Sequence, residues 1–268
     1  MVRFRVETIA MDEDLSIEEE KSFLNSAMDF FRSNGADMII PATTNTIFRT
    51  YPDGADVAPY GTYVVDLDLS EETLLSNLSA SHRRKVRQAM KSGVEIKGGQ
   101  EYIETAYTLV RDTFKRSSIS FMNFSSFSRM ADGLDENIKI LVAEYQGVVQ
   151  GCIVVPYSNY SAYYVYGGSI PKPAAGSMNL LHWEAIRQFR SLGVKRYDFV
   201  GTRIDPEEGS KQEGLKAFKE RFGGDLNQGY MWKYSLSPLK YKLYCMAARL
   251  RSGGDIVDAE RHKLKVNK

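Results

Sequence analysis

The chain has 268 residues, with 35 basic and 34 acidic side chains, a formal net charge of +1, 43% hydrophobic residues and two cysteines. That length suits one large domain or two small ones and can form a core without staples. The charge balance excludes a uniformly basic nucleic-acid coat and a disordered acidic tail, two cysteines exclude a disulfide scaffold or a cysteine-rich metal fold, and no apolar run reaches the ~18 residues needed to span a bilayer.

The opening stretch, MVRFRVETIAMDEDL, carries charges where a secretion signal would be apolar, so a reducing, cytoplasmic setting is expected. Residues 15–33 place Leu15, Phe23, Leu24, Ala27, Met28, Phe30 and Phe31 near helical spacing, and Asn34-Gly35 stops that helix. DMIIP, 37–41, reads as a short buried strand. Residues 50–61 hold two prolines and two glycines and read as a loop. A strand over 63–67 runs into Ser70-Glu71-Glu72-Thr73, a helix start. Helices are expected over 71–78 and 81–91, with Gly93 closing the second, then a strand over 94–97 and helices over 101–117 and 123–132. Three β-type runs follow, 138–145, 148–157 and 160–169. Gln146-Gly147 and Ser158-Asn159 separate them, so they read as a meander of hairpins. A helix over 177–192 ends at Gly193; then come a strand over 196–200, a polar loop over 201–209, a helix over 214–222 and a strand over 228–236. Pro238 opens a last helix to about residue 251, and the polar tail from Gly253 is expected to fray. The pattern is α+β, without repeats. A boundary is expected after residue 97, near Gly98-Gly99.

The chemistry is sparse. His82, His182 and His262 lie far apart and no Cys or His pair has ligand spacing, so no metal site is expected. Cys152, inside GCIVV, reads as a small core residue rather than a nucleophile. Arg83, Arg84, Arg87 and Lys91 fall at spacings that let them share one helix face, either phosphate-binding or simply solvated. In YSAYYVYGGS, Tyr164 and Tyr166 alternate onto one strand face and Tyr163 and Val165 onto the other. They are core aromatics, or a tyrosine face beside a cleft that Gly167-Gly168 lets a ligand approach. In RYDFVGTRIDPEEGSKQEGLKAFKERFGG, a strand ends at Asp198–Val200, a polar loop follows, and Phe218-Lys219 lies on a short helix. Lys219 is a surface lysine or a positive charge offered to an oxyanion.

From this last segment the chain resembles the FemABX family of aminoacyl and peptidyl transferases. The resemblance covers about residues 60–236: YVVDLDL, then SHRRKVRQAMKSGV, residues 141–151 and 163–169, LLHWEAIRQF, GVKRYDFVG and FKERFGG, in the family's order. It implies a GNAT-like acyltransferase fold, a mixed central sheet flanked by helices. A shortened N-terminal partner lobe would occupy 1–97, a complete GNAT-like domain 98–236, and a basic helix and tail 237–268. It implies transfer of an acyl or aminoacyl group to an amine of an envelope peptide or polysaccharide precursor, small or lipid-linked. The donor would be aminoacyl-tRNA or acyl-CoA, with no tightly bound cofactor and no covalent enzyme intermediate. Lys219 matches the family's oxyanion lysine, Phe218 its aromatic neighbour, Tyr164 and Tyr166 tyrosines of the cleft strand, and Asp198 the aspartate of the Y-D pair, with a structural or proton-relay role. Lys219, Tyr166 and Asp198 form the expected catalytic set; Arg83, Arg84, Arg87, Lys91, Arg116, Tyr164 and Phe218 form the expected substrate-binding set. Four departures stand out. FMNFSS, 121–126, lacks the Arg and Tyr of peptidoglycan-type members; Val200 replaces the first of two glycines; no long helical arm for tRNA is apparent; and GGSIPKPAAG stands where a GNAT pyrophosphate signature would be. A non-catalytic module holding an anionic glycan or nucleotide-linked ligand is the alternative.

Charge is segregated, acidic over 12–20 and basic over 82–91 and 240–251. The last helix combines Lys240, Lys242, Arg249 and Arg251 with Leu239, Leu243, Met246 and Leu250. It can lie on an anionic inner leaflet; the favoured expectation is that its apolar face packs on the first lobe.

Overall fold

The computed structural model describes residues 1–6, 15–41 and 46–266; Asp12–Asp14 of the acidic stretch lie outside the described residues. Strand β1 (Arg3–Arg5) precedes helix α1 (Ile17–Ser33). Ser16 starts α1 with a capping box: its hydroxyl accepts from the Glu19 amide while the Glu19 carboxylate accepts from the Ser16 amide. Strands β2 (Met38–Ile40) and β3 (Asp56–Asp66) follow, then α2 (Glu71–Asn77) and α3 (Ala80–Ser92), each opened by a serine cap. Gly93, left-handed at φ 83°, ends α3. Next are β4 (Glu95–Gly98), α4 (Ile103–Arg116), α5 (Phe124–Leu134), β5 (Ile138–Tyr145), β6 (Val148–Pro156), β7 (Ser161–Tyr163) and β8 (Tyr166–Ser169). The chain continues through α6 (Ser177–Ser191), β9 (Arg196–Thr202), α7 (Lys211–Glu220), β10 (Asp225–Ser235), α8 (Pro238–Ser252) and α9 (Ile256–Val266).

The strands form a six-stranded sheet in the order β1-β2-β10-β3-β9-β7 and a four-stranded sheet in the order β4-β5-β6-β8. The largest core gathers Tyr63 and Val65 of β3, Val86 and Ala89 of α3, Leu181 and Phe189 of α6, Tyr197 and Phe199 of β9, and Phe222. A second core, under α4 and α5, holds Val110, Phe127, Val142, Val154 and Tyr166. Residues on both sides of position 97 share the first core, and position 97 itself falls inside β4.

Four features differ from the sequence expectation. Strand β3 begins at Asp56, inside the stretch expected to be a loop, because β10 pairs with it over its length, from Asp56↔Lys233 to Val64↔Asp225. Pro59 is tolerated because β9 pairs only from Gly61 onward, so its missing amide costs no bond on that side. The tail expected to fray forms α9, whose Val257 is fully buried against Ala58, Tyr60 and Met231. The third strand of the expected meander is broken after Tyr163 and divided between the two sheets. The apolar face of α8 does not pack on the first lobe. Leu239, Leu243, Met246 and Leu250 are exposed, and the helix is held by its polar side: Lys240 pairs with Asp37 at 2.6 Å and the Tyr241 hydroxyl donates to Asp56 at 2.5 Å.

Candidate active site

The break in the third strand builds the site. β7 and β9 run parallel through Ser161↔Arg196, Ala162↔Tyr197 and Tyr163↔Asp198. The Tyr164 amide still donates to the Asp198 carbonyl, at 2.8 Å; the next amide, Val165, donates to Val154 on β6 instead, at 3.2 Å. From there β8 belongs to the other sheet, and two neighbouring strands that began in parallel part company. A wedge between β8 and the end of β9 results.

The β9 wall of this wedge is irregular. Its register with β3 shifts between Thr62 and Val64, so Gly201 faces Thr62 while Asp198 faces Val64. Val200, in the bulge, has a φ of 48°, a strained value for a β-branched residue. The Asp198 carboxylate holds that shape: its Oδ1 accepts from the Val200 amide at 2.7 Å and from the Thr62 hydroxyl at 2.5 Å. Burial pushes the Asp198 carboxyl up, against the pull of those two bonds.

Lys219 reaches the same bulge from α7. It is 9% exposed, and its Nζ donates to the Val200 carbonyl at 2.8 Å and the Gly201 carbonyl at 2.7 Å. Burial lowers its pKa to about 8, with the charge of Asp198 opposing the shift. It therefore stays largely protonated at neutral pH, with one N–H bound to nothing among the described residues.

Below Lys219 lies an imidazole and aromatic layer. Phe218 stands 5.3 Å from the His82 ring and 5.6 Å from His182; Tyr164 meets His182 edge-on at 4.5 Å. The Tyr164 hydroxyl lies against Gly167, where a Cβ would come within 2.0 Å of it. His182 Nδ1 and the Tyr197 hydroxyl are 3.0 Å apart, and His182 Nε2 has no hydrogen-bond partner among the described residues. Burial, with smaller contributions from Lys219 and His82, lowers the His182 pKa to about 3; burial and the charge of Lys85 lower that of His82 to about 4. Both rings are neutral at physiological pH.

The structure brings Lys219, Asp198, Phe218 and Tyr164 together. Tyr166 and Tyr164 do not share a face, because the strand changes sheets between them. Tyr166 packs in the second core, 5.1 Å from Phe121 and 6.3 Å from Phe114. Arg83 does not join the expected cationic face either. Its guanidinium turns back to the carbonyls of Ser76, at 2.5 Å, and Leu78, at the end of α2. Arg84, Arg87 and Lys91 are exposed on α3, opposite the buried His82, Val86 and Ala89. Arg116 bonds the Ser169 carbonyl at 2.7 Å, tying α4 to the end of β8, and Lys211 at the start of α7 donates to Ser117 at the end of α4. Sequence reasoning missed His82, His182 and Thr62. A signal existed for His82, which sits four and seven residues before Val86 and Ala89 on the apolar face of its helix.

The segment between β8 and α6 carries Pro171 and Pro173, which have no N–H to donate. A pyrophosphate cradle made of successive amides does not fit there. Among the described residues no group of three or more His, Cys, Asp or Glu side chains could hold a metal ion.

Parallel strands that part in mid-sheet give the chain the opened sheet of a GNAT-type acyltransferase fold. The chain belongs to the acetyltransferase (GNAT) domain family, whose model matches residues 76–219. It is similar, at 19% identity over 237 residues, to lipid II:glycine glycyltransferases of two Staphylococcus epidermidis strains. That match covers 64% of this chain and 57% of theirs, so the chain spans a little over half the length of these curated relatives. Its fold is that of FemX, with a TM-score of 0.64 at 17% identity, covering 84% of this chain and 79% of that one. The C-terminal domain of a putative lysylphosphatidylglycerol synthetase from Agrobacterium fabrum is also similar, with a TM-score of 0.54 at 14% identity, over 85% and 77% of the two chains.

Proposed function

We propose that this acyltransferase moves an aminoacyl group to an amine of a cell-envelope precursor by direct attack of that amine on the donor's carbonyl. Lys219 carries the reading: a buried ammonium, held by two carbonyls at the lip of the wedge, with one N–H to spare. When an amine adds to an ester carbonyl, the carbonyl oxygen gains negative charge. A fixed N–H aimed at that oxygen in a dry site lowers the barrier without reorganisation. The amine's nitrogen forms the new C–N bond, the alcohol departs with the ester oxygen, and the amine's excess proton leaves to that oxygen or to water. Asp198, with its Oδ1 committed to Thr62 and Val200, acts by positioning the bulge against Lys219. Tyr166 braces the opposite wall from within the second core.

The two prolines after β8 favour an aminoacyl-tRNA ester over a CoA thioester as donor. The exposed Arg84, Arg87 and Lys91 would meet the RNA backbone. The name of the staphylococcal relatives suggests glycine as the group and a lipid-linked peptidoglycan precursor as the acceptor.

The test offers the purified chain labelled glycyl-tRNA or labelled acetyl-CoA together with lipid II, and counts label in the extracted lipid. Transfer from glycyl-tRNA is expected, reduced about 100-fold or more in Lys219→Met. An unchanged rate in that variant removes Lys219 from the chemistry. No transfer from either donor, with thermal stabilisation by an anionic glycan, would support a non-catalytic binding module.

A further inference from the structure

Helix α8 contributes no group to the wedge, yet it has an unusual surface. Leu239, Leu243, Met246 and Leu250 are 72%, 53%, 52% and 89% exposed. They recur at i, i+4, i+7 and i+11, which puts them in one stripe along the helix. Solvated helices rarely present an unbroken apolar line of this kind. The helix has no acidic residue, and by helical position Lys242 and Arg249 flank the stripe on one side and Lys240 on the other. Of these, Lys240 is paired with Asp37, whereas Lys242 and Arg249 are exposed and make no ion pair among the described residues. Arg3 and Arg5 of the edge strand β1 add to this field: both are exposed, and both lie close enough for their charge to reach the Tyr244 hydroxyl on α8.

A cavity of about 630 Å³ opens beside the stripe, between α8 and α9. Met246 stands on its rim; Lys242 and Arg249 line it from α8, Arg261 and His262 from α9. Arg261 is committed to Asp56, and Asp258 on the cavity wall is committed to Lys233 at 2.8 Å, so the free charge facing the opening is that of Lys242 and Arg249. The hairpin beneath is rigidly seated. Lys233 of β10, 1% exposed, is clamped between Asp255, at 2.9 Å, and Asp258, and Val257 is fully buried on β3.

We propose that α8 is a docking surface for an anionic phospholipid bilayer. The helix lies in the interface plane, its leucine stripe enters the acyl boundary, and Lys242 and Arg249 hold lipid phosphates at the mouth of the cavity. Charge complementarity selects this occupant over a second copy of the chain. A symmetric dimer that joined two stripes would bring each α8's cationic border against its own counterpart, with no acid on either helix to answer it. The docking plane is linked to the wedge through one helix: Glu260 of α9 pairs at 3.0 Å with Arg203, in the segment that leaves β9. The proposal deepens the transferase reading and rests on it for its purpose, which is to hold the wedge beside acceptors displayed on a membrane.

Sedimentation of the chain with extruded vesicles tests it. One set is neutral phosphatidylcholine and the other contains about one-third phosphatidylglycerol. Partitioning is expected to be at least tenfold higher on anionic vesicles and to fall at high salt. Removing two cations, in Lys242→Ala with Arg249→Ala, lowers it roughly 25-fold, about fivefold per charge. Leu243→Gln with Leu250→Gln lowers it about tenfold or more with an unchanged melting curve; Leu250→Gln alone, the most exposed position, gives the same direction if the double variant misfolds. Equal binding to both vesicle sets, no binding by the wild type, or wild-type binding by the stripe variants overturns the proposal. So does a dimer, seen by light scattering, that the stripe variants dissolve while vesicles are ignored. Binding is read without donor or turnover, so its failure leaves the transferase reading standing. Loss of transfer in Lys219→Met leaves vesicle binding intact.

Discussion

Replacing Lys219 with methionine separates what this residue does for the fold from what it does for the reaction. The side chains are similar in length and the site is buried, so methionine can occupy the same channel. Burial moves the ammonium from an ordinary 10.5 to about 8, which converts to about 3 kcal/mol spent on keeping a charge in that place. Methionine removes this cost. It also leaves the Val200 and Gly201 carbonyls without their donor, a loss of about 1 kcal/mol each. The balance is a stability equal to the wild type or about 1 kcal/mol above it, a melting shift of roughly 0 to +4 °C for a chain of this size. Transfer should fall about 100-fold or more. The pH dependence supplies a second reading. Because the folded pKa lies below the unfolded one, the unfolded chain holds more protons between about 8 and 10.5, so the wild type gains stability as pH rises through that window. The methionine variant should lack this gain in urea titrations at pH 7, 8, 9 and 10. A variant that melts far below the wild type at pH 7 would make Lys219 a pillar of the bulge rather than a strained functional group. An unchanged transfer rate would sink the oxyanion role.

Other outcomes follow from the same geometry. Val200→Gly should be tolerated unusually well, within about 1 kcal/mol of wild type by urea unfolding, because relief of the φ of 48° offsets lost burial that elsewhere costs about 3 kcal/mol. Gly168→Ala should destabilise by about 2 kcal/mol or more, since its Cβ would lie 2.4 Å from the Leu109 backbone carbon and push α4 away; calorimetry reads this directly. Gly167→Ala meets only the movable Tyr164 hydroxyl and should cost less. His182, held at about 3, and His82, held at about 4, remain neutral in the fold while the unfolded chain protonates below about 6.5, so stability should fall with acid at up to about 1.4 kcal/mol per pH unit per histidine; His182→Phe should flatten that slope in denaturation series from pH 7 to 4.5.

The sequence displayed much of this, and its silences have physical causes. Ser70 marked the start of α2, and Asn34-Gly35 and Gly93 the ends of α1 and α3, because those signals act within one turn. Phe218-Lys219 stood out through family resemblance and Asp198 with it, since both belong to contiguous motifs. That His82 and His182 both meet Phe218 was hidden by the hundred residues between them; only the packing of α3 on α6 brings them to one layer. YSAYYVYGGS contains no breaker between Tyr163 and Tyr166, so its division between sheets is dictated by the strands alongside it and not by its own residues. The α8 stripe was visible as composition, but its exposure was not, because amphipathic periodicity does not say what covers the apolar side.

The strand that changes sheets also places two gauges side by side. Tyr164 and Val165 are consecutive in the chain, yet their amides are bonded to opposite walls of the wedge. Hydrogen exchange at these two positions therefore clocks the opening of each wall separately, within a single peptide fragment. A donor that spreads the wedge would speed exchange at one amide while leaving its neighbour slow.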